Sequence, residues 1–270
     1  MPELDPAIRA FYERGEEINR FSPSSPSGPL EFQRTTEILT RYLPSAPLKI
    51  LDVGGGPGAY AAWLVDRGYN VHLVDPVLLH VNQARSAKAG VSAEVGDARE
   101  LAQSDASIDA VLLLGPLYHL IDRQDRIKAL TEARRVLRPG GWIFAAAISR
   151  YAALLDLLVR AGRLHQPNVF QTVRKGIEGG VFQGTQNDLF TTAYFHLPQE
   201  LASEVEGAGL ELSAILGIEG PGFLLRDFES DWADPLKRET VLQTARLVEQ
   251  KPEMLVCSSH ILAVGRKPRD

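Results

Sequence analysis

The chain reads Leu51-Asp52-Val53-Gly54-Gly55-Gly56-Pro57-Gly58-Ala59-Tyr60 where an apolar run meets a cluster of glycines. The apolar residues before Gly54 predict a buried strand, and the pattern from Ala59 onward predicts a helix. Glycine lets the connecting turn adopt positive φ and approach a ligand closely, and Pro57 is tolerated at a helix start. Unpaired N–H groups at that start favour an anion. We therefore expect a ligand site over this turn.

Strand and helix patterns alternate around this turn. The predicted strands are residues 49–53, 70–74, 91–95, 108–114 and 142–148, with helices at 59–67, 77–89 and 123–137. Alternation with short connections predicts a parallel, doubly wound α/β sheet with right-handed crossovers. Ligands in such sheets bind outside the carboxyl ends of the strands. The ends of the first four strands therefore predict one crevice, at Gly54 and Gly56, Asp75, Asp97 and Gly115.

The segments that flank this α/β core have less regular patterns. Helices are predicted at residues 5–21 and 30–43, with a loop rich in serine and proline between them. Beyond residue 148 the patterns predict a helix at 150–164, an irregular segment at 165–193, and then helix 198–207, strand 210–218, helix 232–250 and strand 258–265. This divides the chain into an N-terminal helical cover at 1–45, a core at 46–149 and 197–270, and a lid or substrate insert at 150–196.

Composition narrows the class of protein. The 270 residues are 44% apolar and 23% charged, which suits one large α/β domain with a small insert. A net charge of -5 is not the basic footprint of a nucleic-acid binder. Cys257 is the single cysteine, so we expect no disulfide framework and no metal cluster. Without a run of ~20 apolar residues or a signal-like N-terminus, we expect a cytoplasmic protein with no membrane partner, either monomer or homodimer.

The glycine turn by itself leaves the cofactor open. Its spacing, Gly54-x-Gly56-x-x-Ala59, also fits a dinucleotide-binding fingerprint, with Asp75 where a ribose-binding acid belongs. These residues alone are compatible with several nucleoside cofactors, including the nicotinamide dinucleotide of an oxidoreductase. A tight structural turn without a ligand is the remaining interpretation.

Four motifs resemble, in order and spacing, those of the class I S-adenosylmethionine-dependent methyltransferases, and in particular a bacterial small-molecule subgroup. They are Asp52-Val53-Gly54-Gly55-Gly56-Pro57-Gly58, Leu73-Val74-Asp75, Gly96-Asp97-Ala98 and Leu137-Arg138-Pro139-Gly140-Gly141. The motifs span residues 48–148, and the closing strands extend the match to residue 266. The resemblance implies a Rossmann-like doubly wound sheet, mostly parallel with an antiparallel last strand, plus N-terminal helices and a small lid insert. It also implies S-adenosyl-L-methionine as cofactor and in-line methyl transfer to a small-molecule acceptor.

The same resemblance implies roles for the residues of a cofactor site. Asp75 would accept both ribose hydroxyls, Asp97 would accept from the adenine amine, and Asp52 would lie near the methionine ammonium. Arg20 would pair with the methionine carboxylate, and Tyr12 would cover the sulfonium or the substrate. The full set is Tyr12, Arg20, Asp52, Gly54, Gly56, Gly58, Asp75, Pro76, Asp97, Ala98, Leu114 and Gly115. Purely structural roles stay open, namely a helix cap at Asp75, a turn at Asp97, a strand-end cap at Asp52 and a solvated first helix.

The loop after the fourth strand carries the predicted catalytic residues. In the family this loop faces the departing methyl group, so that Tyr118 would orient the nucleophile and His119 would accept its proton. Packing of both rings against the next helix is the structural alternative. Tyr194 and His196, where the insert rejoins the core, and Glu219, at the end of the next strand, are further candidates for substrate contact.

Other functions stay open at this point. The cofactor motifs would look the same in an enzyme that uses S-adenosylmethionine for aminocarboxypropyl transfer or cyclisation. A non-catalytic S-adenosylmethionine-binding protein and a nicotinamide oxidoreductase are two further alternatives. The motifs also leave the methylated atom open among nitrogen, oxygen, sulfur and carbon.

Overall fold

The computed structural model describes residues 4–184 and 189–269, and the strands in these ranges form one nine-stranded sheet. The strands are β1 (Lys49–Val53), β2 (Asn70–Asp75), β3 (Ser92–Val95), β4 (Ile108–Leu113), β5 (Leu137–Ser149), β6 (Val181–Gln183), β7 (Thr192–His196), β8 (Glu211–Gly217) and β9 (His260–Arg266). Their order is β3-β2-β1-β4-β5-β7-β6, and β9 also pairs with β5 and with β8. The pairs among β1 to β5 are parallel, whereas β9 is antiparallel to both of its partners. The predicted fold class is therefore confirmed.

Helices cover both faces of the sheet. They are α1 (Pro6–Tyr12), α2 (Gly28–Tyr42), α3 (Ala59–Val65), α4 (Leu78–Ala87), α5 (Arg123–Val136), α6 (Ala152–Leu155), α7 (Pro167–Gly179), α8 (Pro198–Gly207), α9 (Phe228–Ala233), α10 (Pro235–Val248) and α11 (Pro252–Leu255). Short 3₁₀ turns occur at Glu16–Asn19, Pro116–His119 and Gly220–Leu224, and a π turn at Asp156–Arg160 extends α6. None of the helices in the described ranges combines the length and apolar character needed to cross a bilayer.

The central strands are buried on both faces, which explains their continuous apolar sequences. Leu51 packs with α5 and α8 on one face, while its neighbour Ile50 packs with α2 and α3 on the other. Successive residues of a strand point to opposite faces, so both positions must be apolar. Because β1 lies between β2 and β4, the chain reverses its winding direction at β1 and leaves a crevice at the carboxyl ends of these strands.

The N-terminal cover differs from the prediction of one helix over residues 5–21, which is wrong. Helix α1 ends at Tyr12, and Gly15 adopts a φ of 75°, in the left-handed region, before the 3₁₀ turn begins. A left-handed residue interrupts the α-helical hydrogen-bond ladder and redirects the chain. The redirection places both Tyr12 and Arg20 on the wall of one cavity.

The insert is also more regular than predicted. Residues 165–193, predicted as a less regular segment, contain α7, β6 and the first residues of β7, and β6 and β7 pair in antiparallel. Strand β7 extends the sheet because Phe195 pairs in parallel with Ile148 at the end of β5. Predictions for residues 1–3, 185–188 and 270 lie outside the described residues.

The observed bounds of two other elements differ from the predicted bounds for local reasons. The predicted helix 232–250 is divided at Asp234, because its carboxylate accepts from the N–H groups of Leu236 and Lys237 and so starts a new helix. Strand β5 begins at Leu137 rather than at residue 142, since Leu137 already pairs with Ile108 ahead of a register shift. The Leu-Arg-Pro-Gly-Gly turn is therefore the bulged start of a strand.

Candidate active site

A cavity of about 310 Å³ lies over the carboxyl ends of β1, β2 and β4, beneath α1. This volume is in the range of small-molecule sites. Its wall contains eleven of the twelve predicted cofactor residues, together with Tyr118 and His119. Gly58 is outside the wall; a Cβ there would lie 2.9 Å from the Cβ of Ala84 on α4, so this glycine allows α3 and α4 to pack closely.

The glycine turn is tied to the neighbouring strand rather than free. The N–H of Gly54 donates to the carbonyl of Val74 (2.7 Å), and the N–H of Gly56 donates to Asp75 Oδ2 (2.9 Å). A Cβ on Gly54 would lie 2.8 Å from the ring of Pro116, in the loop after β4. The turn therefore brings β1, β2 and the loop that carries Tyr118 and His119 into close contact.

Asp52 is the most unusual charged group of the cavity. Its side chain is 0% exposed, and neither carboxylate oxygen has a hydrogen-bond partner among the described residues. Burial raises the pKa of Asp52 to about 7, and the nearby charge of Asp75 contributes to the rise. A buried carboxylate without a donor is costly, and an ammonium group of a ligand is the natural partner for it.

Asp75 has the geometry of a helix cap and also lines the cavity. Its Oδ1 accepts from the N–H of Val77 (2.9 Å) and faces His80 Nδ1 (3.2 Å). His80 is 2% exposed, lines the cavity, and leaves Nε2 without a partner in the described part of the chain. Sequence reasoning missed His80, although its position five residues after the strand-end acid, in the first turn of α4, was the available signal.

Asp97, the predicted adenine contact, is held by an arginine that the sequence analysis also missed. Arg99 Nε donates to Asp97 Oδ1 (2.9 Å) and Arg99 Nη2 to Oδ2 (2.8 Å), while Nη1 reaches Asp125 Oδ2 (2.7 Å). All three residues line the cavity. The guanidinium fixes the Asp97 carboxylate in one orientation at this end of the cavity.

Arg20 also lines the cavity and is bound to carboxylates of its own chain. It donates to Glu17 Oε1 (3.1 Å) and to Glu31 Oε1 (2.8 Å), and Nη2 lies 3.4 Å from His260 Nε2. Glu219 is outside the cavity wall, behind His260, whose Nδ1 is 2.6 Å from Glu219 Oε1. The ligand atoms of Glu31, Glu219 and His260 are close enough to suit a metal ion, but the Arg20 guanidinium already supplies positive charge to Glu31.

Tyr12, Tyr118 and His119 meet at the end of the cavity beneath α1. The Tyr12 hydroxyl oxygen is 2.6 Å from His119 Nε2, and His119 Nδ1 is 3.3 Å from the carbonyl oxygen of Thr192 on β7. The rings of Tyr118 and His119 are in edge contact, with centroids 4.7 Å apart. Burial lowers the pKa of His119 to about 4, so the imidazole is neutral at neutral pH.

The half-buried Tyr194 and the buried His196 belong to a separate cluster with Arg126 and Glu204. His196 Nε2 donates to Glu204 Oε2 (3.2 Å), and the Arg126 guanidinium packs 3.8 Å above the Tyr194 ring. Neither Tyr194 nor His196 lines the cavity. Their roles as substrate contacts, like that of Glu219, stay predictions that these positions do not favour.

Gly55 should be the most sensitive glycine of the turn on steric grounds. A Cβ there would lie 2.6 Å from Asp52 Oδ2 and 2.6 Å from Leu73 Cδ1. We expect Gly55→Ala to lower the free energy of unfolding by about 1–3 kcal/mol and to weaken S-adenosylmethionine binding, as measured by denaturant unfolding and calorimetry. Gly179→Ala is the matched control, because nothing lies within 4 Å of that Cβ and Gly179 has no left-handed φ. Unchanged binding by Gly55→Ala would contradict this packing argument.

Comparisons with known proteins agree with this geometry. A family model described as a methyltransferase domain matches residues 51–145. An uncharacterized methyltransferase of Mycobacterium tuberculosis is 35% identical over 127 residues, which are 47% of this chain and 48% of that protein. A ubiquinone biosynthesis O-methyltransferase of Chromobacterium violaceum is 26% identical over 221 residues, or 80% of this chain and 85% of that protein.

A solved structure extends the comparison to most of the chain. The crystal structure of a SAM-dependent methyltransferase from Methanosarcina mazei matches with a TM-score of 0.59 at 19% identity, covering 86% of this chain and 98% of that one. At this identity the match shows a common fold. The match to the mycobacterial relative spans about half the length of that protein.

Proposed function

We propose that the chain, whose residues 51–145 match a methyltransferase domain, is a class I S-adenosylmethionine-dependent enzyme that transfers a methyl group from S-adenosyl-L-methionine to a small-molecule acceptor. The observation that carries the proposal is the buried carboxylate of Asp52, which lines the same cavity as Asp75 and His119 and whose two oxygens have no hydrogen-bond partner among the described residues. When bound, S-adenosylmethionine supplies an activated methyl group on a positively charged sulfur.

The residues of the wall suit the chemical groups of this cofactor. Asp52 would accept from the ammonium, and Asp75 with the adjacent His80 Nε2 would bind the ribose hydroxyls. Asp97 would accept from the adenine amine, in the orientation that Arg99 imposes. Arg20 would reach the methionine carboxylate only by sharing its donors with Glu17 and Glu31, so its predicted role rests on the family resemblance alone.

The acceptor end of the cavity favours a small molecule. It lies beneath α1 beside Tyr12, Tyr118 and His119, where Phe190 of the insert is in ring contact with His119. Similarity to the Chromobacterium relative, a ubiquinone biosynthesis O-methyltransferase, is consistent with a small acceptor. We further propose a cytoplasmic enzyme with no nucleic-acid partner, in which residues 1–45 and 150–196 cover a core of 46–149 and 197–270.

Cofactor identity and reaction type can be tested together. We expect calorimetry to show binding of S-adenosylmethionine and S-adenosylhomocysteine but none of NAD, because the Asp52 carboxylate suits an ammonium and repels a pyrophosphate. Mass analysis of the nucleoside product should show S-adenosylhomocysteine. Methylthioadenosine as the product would show that the reaction is aminocarboxypropyl transfer rather than methyl transfer. Binding of the cofactor without turnover across a broad acceptor panel would favour a non-catalytic protein.

A further inference from the structure

The hydrogen bonds of His119 determine which of its nitrogens carries the proton. Nδ1 faces the carbonyl oxygen of Thr192, and a carbonyl oxygen can only accept. The proton of the neutral imidazole is therefore on Nδ1, and Nε2 presents a lone pair. Across the 2.6 Å contact, the Tyr12 hydroxyl must be the donor and His119 Nε2 the acceptor.

This arrangement occupies the only basic atom of His119. A substrate proton cannot reach Nε2 while the Tyr12 hydroxyl donates to it. The Tyr12 oxygen, however, keeps lone pairs that can accept a further hydrogen bond, and Tyr12 lines the cavity. His119 lines the same cavity, but since its Nε2 is already occupied, the Tyr12 oxygen is the atom of the pair that is left to accept a proton.

We propose that Tyr12 and His119 form a two-residue proton relay that serves a hydroxyl-bearing acceptor. The inference rests on the proposed methyl transfer. The acceptor oxygen forms a bond to the methyl carbon as the methyl–sulfur bond breaks and leaves its electron pair on sulfur. The hydroxyl proton of the acceptor passes to the Tyr12 oxygen while the phenol proton of Tyr12 passes to His119 Nε2. The resulting imidazolium returns its proton to solvent through the reverse exchange after the product leaves.

A hydroxyl acceptor suits this relay better than an amine. Methylation of a hydroxyl releases one proton for each methyl group, because the ether that forms is not basic at neutral pH. An amine that attacks in its neutral form ends as an alkylammonium ion and can keep its proton. A half-buried base whose lone pair already accepts from a hydroxyl is therefore useful chiefly when the acceptor is an oxygen atom.

The surroundings keep both members of the relay uncharged. Burial raises the pKa of Tyr12 well above its usual value, so Tyr12 stays a phenol, and burial lowers the pKa of His119, so the imidazole stays neutral. The charged or titratable groups that act on the pair are Asp5, Glu17, Arg20, Asp75 and Tyr118. Because neither group ionises alone, the two proton transfers have to be coupled.

Tyr12→Phe is the direct test, because it removes the relay oxygen and keeps the ring. With histidine labelled with ¹⁵N and S-adenosylhomocysteine bound, NMR should show the Nδ1–H tautomer of His119 in the wild type. In Tyr12→Phe the Nε2 resonance should move and the His119 pKa should rise, because the hydroxyl donor stabilised only the neutral ring. Tyr69→Phe is the matched control, since that hydroxyl donates to the Pro44 carbonyl outside the cavity. A His119 spectrum unchanged by Tyr12→Phe would overturn the pairing.

Turnover tests the relay itself. The acceptors to assay are phenol, catechol and benzyl alcohol, with aniline and benzylamine as matched amines. We expect the wild type to methylate at least one of the three hydroxyl compounds. Tyr12→Phe and His119→Gln should each lower kcat for that acceptor about 10²-fold or more, with affinity for S-adenosylhomocysteine within twofold of wild type. The double variant should be no slower than either single variant, because the two residues act as one unit.

Three results would count against the relay, and they are distinguishable. Transfer to amines alone would leave the proposed methyltransferase intact and overturn the hydroxyl relay. A Tyr12→Phe variant as fast as or faster than wild type would mean that Tyr12 merely covers His119. Cofactor binding without methylation of either panel would overturn the relay together with the proposed function.

Discussion

Asp52→Asn is expected to stabilise the ligand-free protein and to weaken cofactor binding in the same variant. Asp52 is fully buried without a described hydrogen-bond partner, and its pKa rises from 3.8 to about 7 on folding. Between these values the folded state holds a proton that the unfolded state has released, so the free energy of unfolding falls as pH rises. At pH 8 this loss is about 4 kcal/mol for the wild type. Asparagine carries no charge, so the Asp52→Asn variant does not lose this stability as the pH rises.

Denaturant unfolding at several pH values measures the effect. We expect wild type and Asp52→Asn to have similar stability near pH 4, and the variant to be more stable by on the order of 2–4 kcal/mol at pH 8. Asp66→Asn is the control, because that carboxylate is 53% exposed and pairs with Lys88 at the surface. A stability difference that does not change between pH 4 and pH 8 would show that Asp52 does not titrate as its burial requires.

Calorimetry should show the opposite effect on binding. An ammonium that pairs with a buried carboxylate makes a charge-assisted hydrogen bond of about 1.5–3 kcal/mol. Loss of that partner should weaken S-adenosylmethionine binding by about 10- to 100-fold at pH 8, with Asp66→Asn unchanged. Equal affinity of wild type and Asp52→Asn for S-adenosylmethionine would contradict the pairing of Asp52 with the ammonium group, on which the proposed function depends.

The part of the fold built from local signals could be predicted from sequence. Strand β1 has the predicted bounds, Lys49–Val53, because an apolar run is bounded by a lysine and by the glycine turn. Helix α5 also starts at the predicted residue, Arg123, after the capping carboxylate of Asp122. In each case the residues that decide the boundary lie within one turn of it.

The insert and the N-terminal cover could not be predicted in the same way, because their structure depends on distant partners. Strand β7 exists because Phe195 pairs with Ile148 and because Arg150 Nε donates to the Phe195 carbonyl (2.7 Å). Tyr12 meets His119 only because the chain breaks at Gly15. A periodicity argument over neighbouring residues contains no information about such contacts.

The residues of the candidate site fall into the same two groups: those placed by local sequence patterns and those that depend on distant contacts. Asp52, Asp75 and Asp97 reach the cavity because parallel strands place their carboxyl ends at one edge of the sheet. His196 also lies at the end of a strand, but it does not line the cavity, because it is 0% exposed and bonded to Glu204 on α8. The groups that orient the acids, such as Arg99 for Asp97, depend on side-chain geometry and appeared only in the structure.

Arg126→Met is expected to destabilise the protein more than any substitution of a surface charge. Arg126 and Glu204 are each 2% exposed, and the guanidinium donates to both carboxylate oxygens, with Nη2 2.7 Å from Oε1. Without Arg126, the described partners of the buried Glu204 carboxylate are the N–H of His196 and the Arg123 guanidinium, 3.9 Å from Oε1. Loss of the main partner of a buried charge costs about 3–5 kcal/mol. For a protein of this size that is a fall in Tm of roughly 6–20 °C, measurable by calorimetry.

A second substitution separates the charge effect from loss of packing. Adding Glu204→Leu to Arg126→Met removes the stranded carboxylate and should recover at least about half of the lost stability, as replacing whole buried ion pairs by apolar residues does. Arg174→Met, at an exposed pair on α7, should change stability by less than about 0.5 kcal/mol. No recovery in the double variant would mean that Arg126 stabilises the protein through its contacts with the Tyr194 ring and with backbone carbonyls rather than through the ion pair.

The double variant also isolates a role that the ion pair does not explain. Arg126 Nη1 donates to the carbonyls of Leu120 (2.9 Å) and Ile121 (2.7 Å), immediately after His119. Methionine restores neither bond, so the loop stays unanchored even when the stranded charge is gone. We therefore expect the double variant to fold and bind S-adenosylhomocysteine but to transfer methyl groups more slowly than wild type. A wild-type kcat would show that His119 keeps its place without this anchor.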